Sequence, residues 1–282
     1  MTDFKRIASA SGPVAIGGIG GAGTRIIASL LLICGVQLGT DLNESLDNLW
    51  FTLLFKRRSI LVETEASFAA LYWGFAQKMS TGRFPDALAA EVSRLAARIE
   101  QEHPSDWFRE RARTLLAPDA PPRRAAWGWK EPNTHVFAER LLQLDRRLLY
   151  IHAVRHPLDM AASRNNNQIH LWSDIFLDNP DASDYARKVN YWCAVQAHAE
   201  GIGERFGDRV IMVRYEDVMA HPERAATALC ARLGLSLTPA RLEKFIASLE
   251  PQHAERRWTA EDLKRMDAEK MQFVRARGYD LG

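Results

Sequence analysis

The sequence predicts a three-layer α/β/α fold around a mostly parallel sheet, and three observations point there. A short apolar run, Val14-Ala15-Ile16-Gly17, passes through a glycine-rich turn into an apolar helix-forming stretch over 26–34. That is the βα unit of a parallel sheet. Strand-like and helix-like segments alternate again from residue 134 onward. Between them, about 42–116 is helical in pattern and fits an insertion. Residues 1–282 therefore read as one domain with a helical insertion.

The elements follow in order. After the strand over 14–17 and the helix over 26–34, residues 60–116 read as helical throughout. Leu88, Val92, Leu95 and Ile99 give that stretch one apolar face. The prolines of Ala117-Pro-Asp-Ala-Pro-Pro-Arg-Arg124 mark a linker. A helix over 134–144 precedes a strand over 148–154. A long helix over 182–206 carries Tyr185, Val189, Trp192, Val195, Ala199 and Ile202 on one side, and Val210 to Val213 is a further strand. Helices fill 222–275 in at least three pieces, and no internal repeat or low-complexity segment occurs.

Composition narrows the class. The chain carries 37 Lys and Arg against 35 Asp and Glu, a formal charge of +2, with 47% apolar and 26% charged residues. These values exclude disordered, collagen-like and coiled-coil chains. A balance so near neutral also argues against a general nucleic-acid binder. Cys34, Cys193 and Cys230 are far apart and lack CxxC spacing. That pattern excludes a disulfide scaffold and a cysteine zinc site and fits a reducing compartment. The N-terminal stretch has no apolar core of signal-peptide length, and the longest apolar run is about half of a membrane span. The expectation is a cytoplasmic protein with no integral membrane segment and no metal.

The chemistry begins in the glycine loop. Gly18-Ile-Gly-Gly-Ala-Gly23 matches GxGxxG, and Asp41 follows Gly18 by 23 positions, which is the dinucleotide-binding pattern. Read as G-x-x-x-x-G-Thr-Arg, Gly18 to Arg25 is instead a P-loop frame without its lysine. Both readings share one mechanism. Glycines let consecutive N–H groups point inward, and the following helix N-terminus favours an anion. The anion site comprises Gly20, Gly21, Ala22, Gly23, Thr24 and Arg25. Without the lysine, a nucleoside triphosphatase is disfavoured. The alternative is a tight strand-to-helix packing turn.

Three further segments stand out. Arg155 ends the strand over 148–154, and Ser163 follows it by eight residues. A planar guanidinium with a hydroxyl donor makes a second anion site, unless Arg155 simply pairs with Asp159. Lys130, in Trp127-Gly128-Trp129-Lys130-Glu131-Pro132, sits just before a Pro-interrupted helix start and can point into the cleft or lie on the surface. Arg214-Tyr215-Glu216-Asp217 ends the last strand. Ligands of open α/β sheets bind beyond the carboxyl ends of the strands, so these segments can face one ligand.

Together, in this order, they resemble the sulfotransferases that use 3′-phosphoadenosine 5′-phosphosulfate (PAPS). Gly20-Gly-Ala-Gly-Thr-Arg25 resembles their 5′-phosphosulfate loop, in the Gly-Thr-Arg form of carbohydrate sulfotransferases. Arg155 and Ser163 resemble their 3′-phosphate pair, and Lys130-Glu-Pro their Lys-x-Pro segment. Arg214-Tyr215-Glu216-Asp217 with His221-Pro222 resembles their Tyr-Glu-Asp strand end, and Arg257-Trp258 a late Arg-Trp segment of bacterial members. The resemblance implies a P-loop nucleoside-triphosphate-hydrolase-like fold. It also implies PAPS as sulfuryl donor without a metal, and transfer to a hydroxyl or amine of a small-molecule or glycan acceptor. One departure stands out: where the family loop usually carries Lys or Arg, this chain has Gly21. Lys130 or Arg25 then supplies the charge that stabilises the leaving oxygen.

On this reading Arg155, Ser163, Tyr215 and Arg257 bind the donor with the loop, and catalysis falls to Lys130, Arg25 and a general base. Asp41 is the expected base, with Glu44 its substitute; the alternative is Asp41 as the N-cap of the next helix. Asn167, Gln168 and His170 either contact a polyhydroxylated acceptor or cap a helix. His152 reads as a core residue, and His135 and His156 lie near the cleft. Two other functions stay open: a nicotinamide or flavin oxidoreductase built on GxGxxG, and a non-catalytic binder of adenosine 3′,5′-bisphosphate.

Overall fold

Among the described residues, four parallel strands make the sheet: β1 Val14–Gly18, β2 Gly128–Lys130, β3 Leu149–Val154 and β4 Val210–Arg214, in the spatial order β2-β1-β3-β4. The computed structural model describes residues 12–98, 103–120, 126–163, 166–177, 184–250 and 258–281. After β1 come α1 Thr24–Cys34, α2 Leu49–Phe55, α3 Glu65–Thr81, α4 Ala89–Ala96 and α5 Ser105–Leu116. Between β2 and β4 lie α6 Thr134–Leu144, α7 Pro157–Ala161, α8 Asn167–Phe176 and α9 Asp184–Phe206, with β3 between α6 and α7. The chain closes with α10 Tyr215–Ala220, α11 Pro222–Leu233, α12 Pro239–Ala247, α13 Ala260–Leu263 and α14 Ala268–Arg275.

Strand alternation divides the core into two layers. Ala15 and Tyr150 face one side, where the inserted helices, α6 and α8 pack. Val14, Ile16, Ile151 and Ala153 face the other, covered by α1, α7, α11 and α12. This is the three-layer arrangement that the alternating pattern predicts.

The insertion is less continuous than the sequence pattern. Gly82, at φ 78°, closes α3 by donating its N–H to the Lys78 carbonyl, and α4 begins only after Pro85 and a 3-10 turn. A left-handed residue there needs glycine, so the helical pattern breaks. Val92 and Leu95 do lie on the buried face of α4, while Ile99 lies outside the described residues. Residues 128–130, read as the approach to a helix, are instead the strand β2. A Cβ on Gly128 would meet the Val14 carbonyl at 2.2 Å, so only glycine lets β2 lie against β1 there. Trp129, on the insertion side, stacks on Phe51 at 5.3 Å and meets Phe75 edge-on at 5.5 Å.

Two cysteines distant in sequence meet: the free, buried thiols of Cys34 on α1 and Cys230 on α11 are 3.5 Å apart. Among the described residues, no helix is long and apolar enough to cross a membrane, and no group of His, Cys, Asp and Glu is placed to hold a metal ion.

Candidate active site

The glycine loop leaves β1 at the carboxyl edge of the sheet. Gly18, Gly21 and Gly23 have φ of 135°, 94° and 88°. A Cβ on Gly18 would stand 2.4 Å from the Ala153 carbonyl, and one on Gly23 would stand 2.6 Å from the Tyr215 ring. Backbone approaches this close admit only glycine. Gly21 differs, for nothing lies within 4 Å of where its Cβ would be. The loop then opens α1 with Gly23 as N-cap and no side chain capping the first turn. The Ile26 N–H donates to the Gly23 carbonyl at 3.0 Å, while the N–H groups of Thr24 and Arg25 have no partner within the helix, and the dipole gathers positive charge there. Thr24 is buried beneath the loop and Arg25 is exposed beside it.

Arg155 leaves β3 beside this loop. Its guanidinium lies over the Tyr215 ring at 4.2 Å, and its Nη1 stands 3.5 Å from the Gly21 carbonyl. Its own carbonyl accepts from Trp192 Nε1 at 3.0 Å, and the His156 N–H donates to Glu216 at 2.7 Å. Tyr215 and Glu216, which open α10 just after β4, thus hold the turn that carries Arg155. Ser163 lies just past α7, a single five-residue turn. Lys188 of α9 donates to the Ser163 carbonyl at 3.0 Å and pairs with Asp184 at 3.2 Å. The sequence reading missed this cation, because an Asp and a Lys four apart read as a surface pair. Arg257 lies outside the described residues; Trp258 stacks on His156 with ring centroids 5.3 Å apart.

Lys130 ends β2 and is buried. Its Nζ donates to the Ser45 carbonyl at 3.0 Å and forms an ion pair with Asp47. Leu46, between those two partners, has φ 64°, a left-handed conformation that costs a leucine energy. Asn43 supports this bend, with its Oδ1 accepting from the Asp47 N–H at 2.8 Å and its Nδ2 donating to Asp47 Oδ2 at 2.9 Å. The next residue, Glu131, is buried and accepts from the Asn133 N–H at 2.6 Å and from Asn133 Nδ2 at 2.7 Å. Burial, and then the charge of Asp47, push its carboxyl up to about 7.

Two of the expected site residues have partners that the sequence did not suggest. Asp41 accepts from Arg111 at 2.8 Å and from the Thr114 hydroxyl, so it fastens the loop after α1 to α5 rather than facing Lys130. It does not cap α2; the Asn48 side chain does, accepting from the Phe51 N–H at 3.0 Å. Gln168, expected on the acceptor, is 7% exposed and points at the glycine loop. Its Oε1 accepts from the Gly20 N–H at 2.6 Å and its Nε2 donates to the Gly18 carbonyl at 3.3 Å. Glu44, Asn167 and His170 are exposed. His135 is buried; its Nδ1 stands 2.8 Å from the Pro132 carbonyl and its Nε2 3.0 Å from the Tyr191 hydroxyl, partners that suit a neutral ring.

The site therefore offers a glycine cradle and bare helix N-terminus for one anion, a guanidinium lodged against that cradle for another, and a lysine–carboxylate pair on the neighbouring strand. A donor carrying two phosphate-like groups fits this set. A model of the sulfotransferase family matches residues 48–239, a span that includes Lys130, Arg155, Ser163 and Tyr215. No curated protein matches the chain. Among solved structures, sulfotransferase STF9 from Mycobacterium avium is similar at 18% identity, covering 98% of this chain and 78% of that one, with a TM-score of 0.50. The sulfotransferase domain of the olefin synthase from Synechococcus PCC 7002 is similar at 18% identity over 100% of both chains, with a TM-score of 0.49.

Proposed function

Because the chain belongs to the sulfotransferase family, we propose that it transfers a sulfuryl group from PAPS to a hydroxyl or amine of a polar acceptor. The carrying observation is the lodging of Arg155 between the Gly21 carbonyl and the Tyr215 ring, which puts a fixed cation beside a loop built for an anion. The loop from Gly20 to Arg25 would hold the 5′-phosphosulfate. Arg155 and Ser163 would hold the 3′-phosphate, with Lys188 adding charge and Arg257 assigned there by resemblance. PAPS supplies an activated sulfuryl group whose departure leaves negative charge on a phosphate oxygen.

The N–H groups at the start of α1 stabilise negative charge at the loop without having to reorganise. Lys130 adds the positive charge that Gly21 lacks. Its register beside Ile16 and the N–H···O bond from Gly18 to the Pro132 carbonyl, at 3.1 Å, keep its strand end against the loop. Asp47 takes the proton from the acceptor hydroxyl, a role that passes to it from Asp41 because it is the carboxylate in contact with Lys130. The strained Leu46 supports the assignment, since backbone strain of this kind gathers at working sites. Asn167, His170 and Glu44, each exposed, remain the proposed acceptor contacts.

The dinucleotide reading has less support. Asp41 would have to end a strand and hold a ribose, yet it sits in a loop paired with Arg111. Calorimetric titration with adenosine 3′,5′-bisphosphate, 5′-AMP and NADH decides between the readings. The expected result is roughly micromolar binding of the bisphosphate, much weaker binding of 5′-AMP, and loss of binding in Arg155→Ala. NADH binding without bisphosphate binding overturns the proposal. Bisphosphate binding without turnover of PAPS on any acceptor makes the protein a non-catalytic binder.

A further inference from the structure

The glycine loop has almost nothing of its own to hold it. Three of its residues have positive φ, and inside it the Ala22 N–H reaches the Ile19 carbonyl at 3.0 Å. Glycine is the residue with most freedom to lose, so a loop of this composition keeps one shape only if something outside grips it. Beside the bond from the Gly18 N–H to the Pro132 carbonyl and the approach of Arg155 to the Gly21 carbonyl, Gln168 grips the Gly20 peptide itself. It is the second residue of α8, buried, and 148 positions from Gly20 in sequence. Its planar amide meets the loop as another peptide would, accepting from the Gly20 N–H and donating to the Gly18 carbonyl.

The helix behind it is itself anchored. Trp172 Nε1 donates to Asn133 Oδ1 at 2.7 Å, and Asn133 in turn donates to Glu131, the neighbour of Lys130. The loop and the Lys130 strand end are thus referenced to the same helix. We propose that Gln168 is a positioning residue for the donor: it fixes the Gly20 peptide so that the N–H groups beyond it, from Gly21 into α1, stay presented to the 5′ anion. The inference rests on the donor reading above. Charge explains the residue type. A glutamate would still accept from the Gly20 N–H, but it would lose the bond to Gly18 and set a negative charge beside an anion site.

The test compares wild type with Gln168→Ala and Gln168→Glu in two measurements. Hydrogen–deuterium exchange of the peptide spanning the loop, in the protein without nucleotide, reads loop order directly. Calorimetry with adenosine 3′,5′-bisphosphate reads donor affinity. Gln168→Ala is expected to speed loop exchange and weaken bisphosphate binding by about tenfold each, the effect of one ordinary hydrogen bond, with exchange in the interior of α1 unchanged. Gln168→Glu is expected to recover part of the loop protection yet bind the bisphosphate more weakly than the alanine variant. A glutamine that merely packs α8 cannot produce that crossed order. Wild-type loop exchange in Gln168→Ala, or a loosened loop with wild-type affinity, overturns the proposal. A wild-type protein that does not bind the bisphosphate overturns the donor reading, and the exchange measurement still decides whether Gln168 holds the loop.

Discussion

Asp41 and Asp47 share one loop, yet their partners send them to different work. Asp41 is tied to Arg111 and Thr114 of α5, while Asp47 pairs with Lys130 at the carboxyl edge of the sheet. Asp47→Asn keeps the size and most hydrogen bonds of the side chain but removes its ability to take a proton. Turnover is expected to fall by about a hundredfold or more while bisphosphate affinity stays within about twofold. Asp41→Asn is expected to do the opposite, keeping turnover and losing about 1–2 kcal/mol of stability with the charged hydrogen bond to Arg111. Steady-state kinetics and denaturant unfolding on the two variants separate the roles. Normal turnover in Asp47→Asn would return the base to another carboxylate.

At the scale of elements, β1, the loop and α1 form one device, and its glycines are unequal. Gly23→Ala adds a Cβ 2.6 Å from the Tyr215 ring at a φ of 88°, so either the helix start or the tyrosine must move. A loss of about 2–3 kcal/mol is expected, from strain and steric displacement together. Because Tyr215 lies under Arg155, bisphosphate affinity is expected to fall with it. Gly21→Ala meets no neighbour and carries only the cost of its φ of 94°, about 1 kcal/mol. Thermal unfolding and calorimetry on both variants check the ranking. This device was readable in the sequence because glycine spacing and an apolar helix are local signals, as they were for α6 and β3. The three-residue β2 was not, since its conformation comes from pairing with β1 and from the tryptophan cluster that the insertion brings. The Lys130–Asp47 pair depends on a left-handed Leu46, and Gln168 reaches the loop across 148 positions. Neither leaves a local pattern to read.

For the whole molecule, three fully buried titratable groups pull the dependence of stability on pH in opposite directions. Burial pulls His135 down to about 4 and His152 to about 3, and pushes Glu131 up to about 7. The ordinary values are 6.5 for each imidazole and 4.5 for the carboxyl. As pH falls below 6.5, the unfolded chain takes up protons on both imidazoles while the folded protein does not, so their contribution to stability is lost. Glu131 acts in the opposite sense. Between 4.5 and about 7 its carboxyl holds a proton when folded and not when unfolded, so its contribution is present in acid and is lost as pH rises. Two imidazoles against one carboxyl leave a net loss of stability on acidification from pH 6.5 to 4.5, and His198, also pulled down by burial, adds to it in the same sense. Glu131→Gln removes the opposing group, so the slope over that range is expected to steepen. Denaturant titrations of wild type and Glu131→Gln at several values across that range measure both slopes. Equal slopes would mean that Glu131 is ionised in the folded protein, held so by Lys130 and Lys56 against its burial.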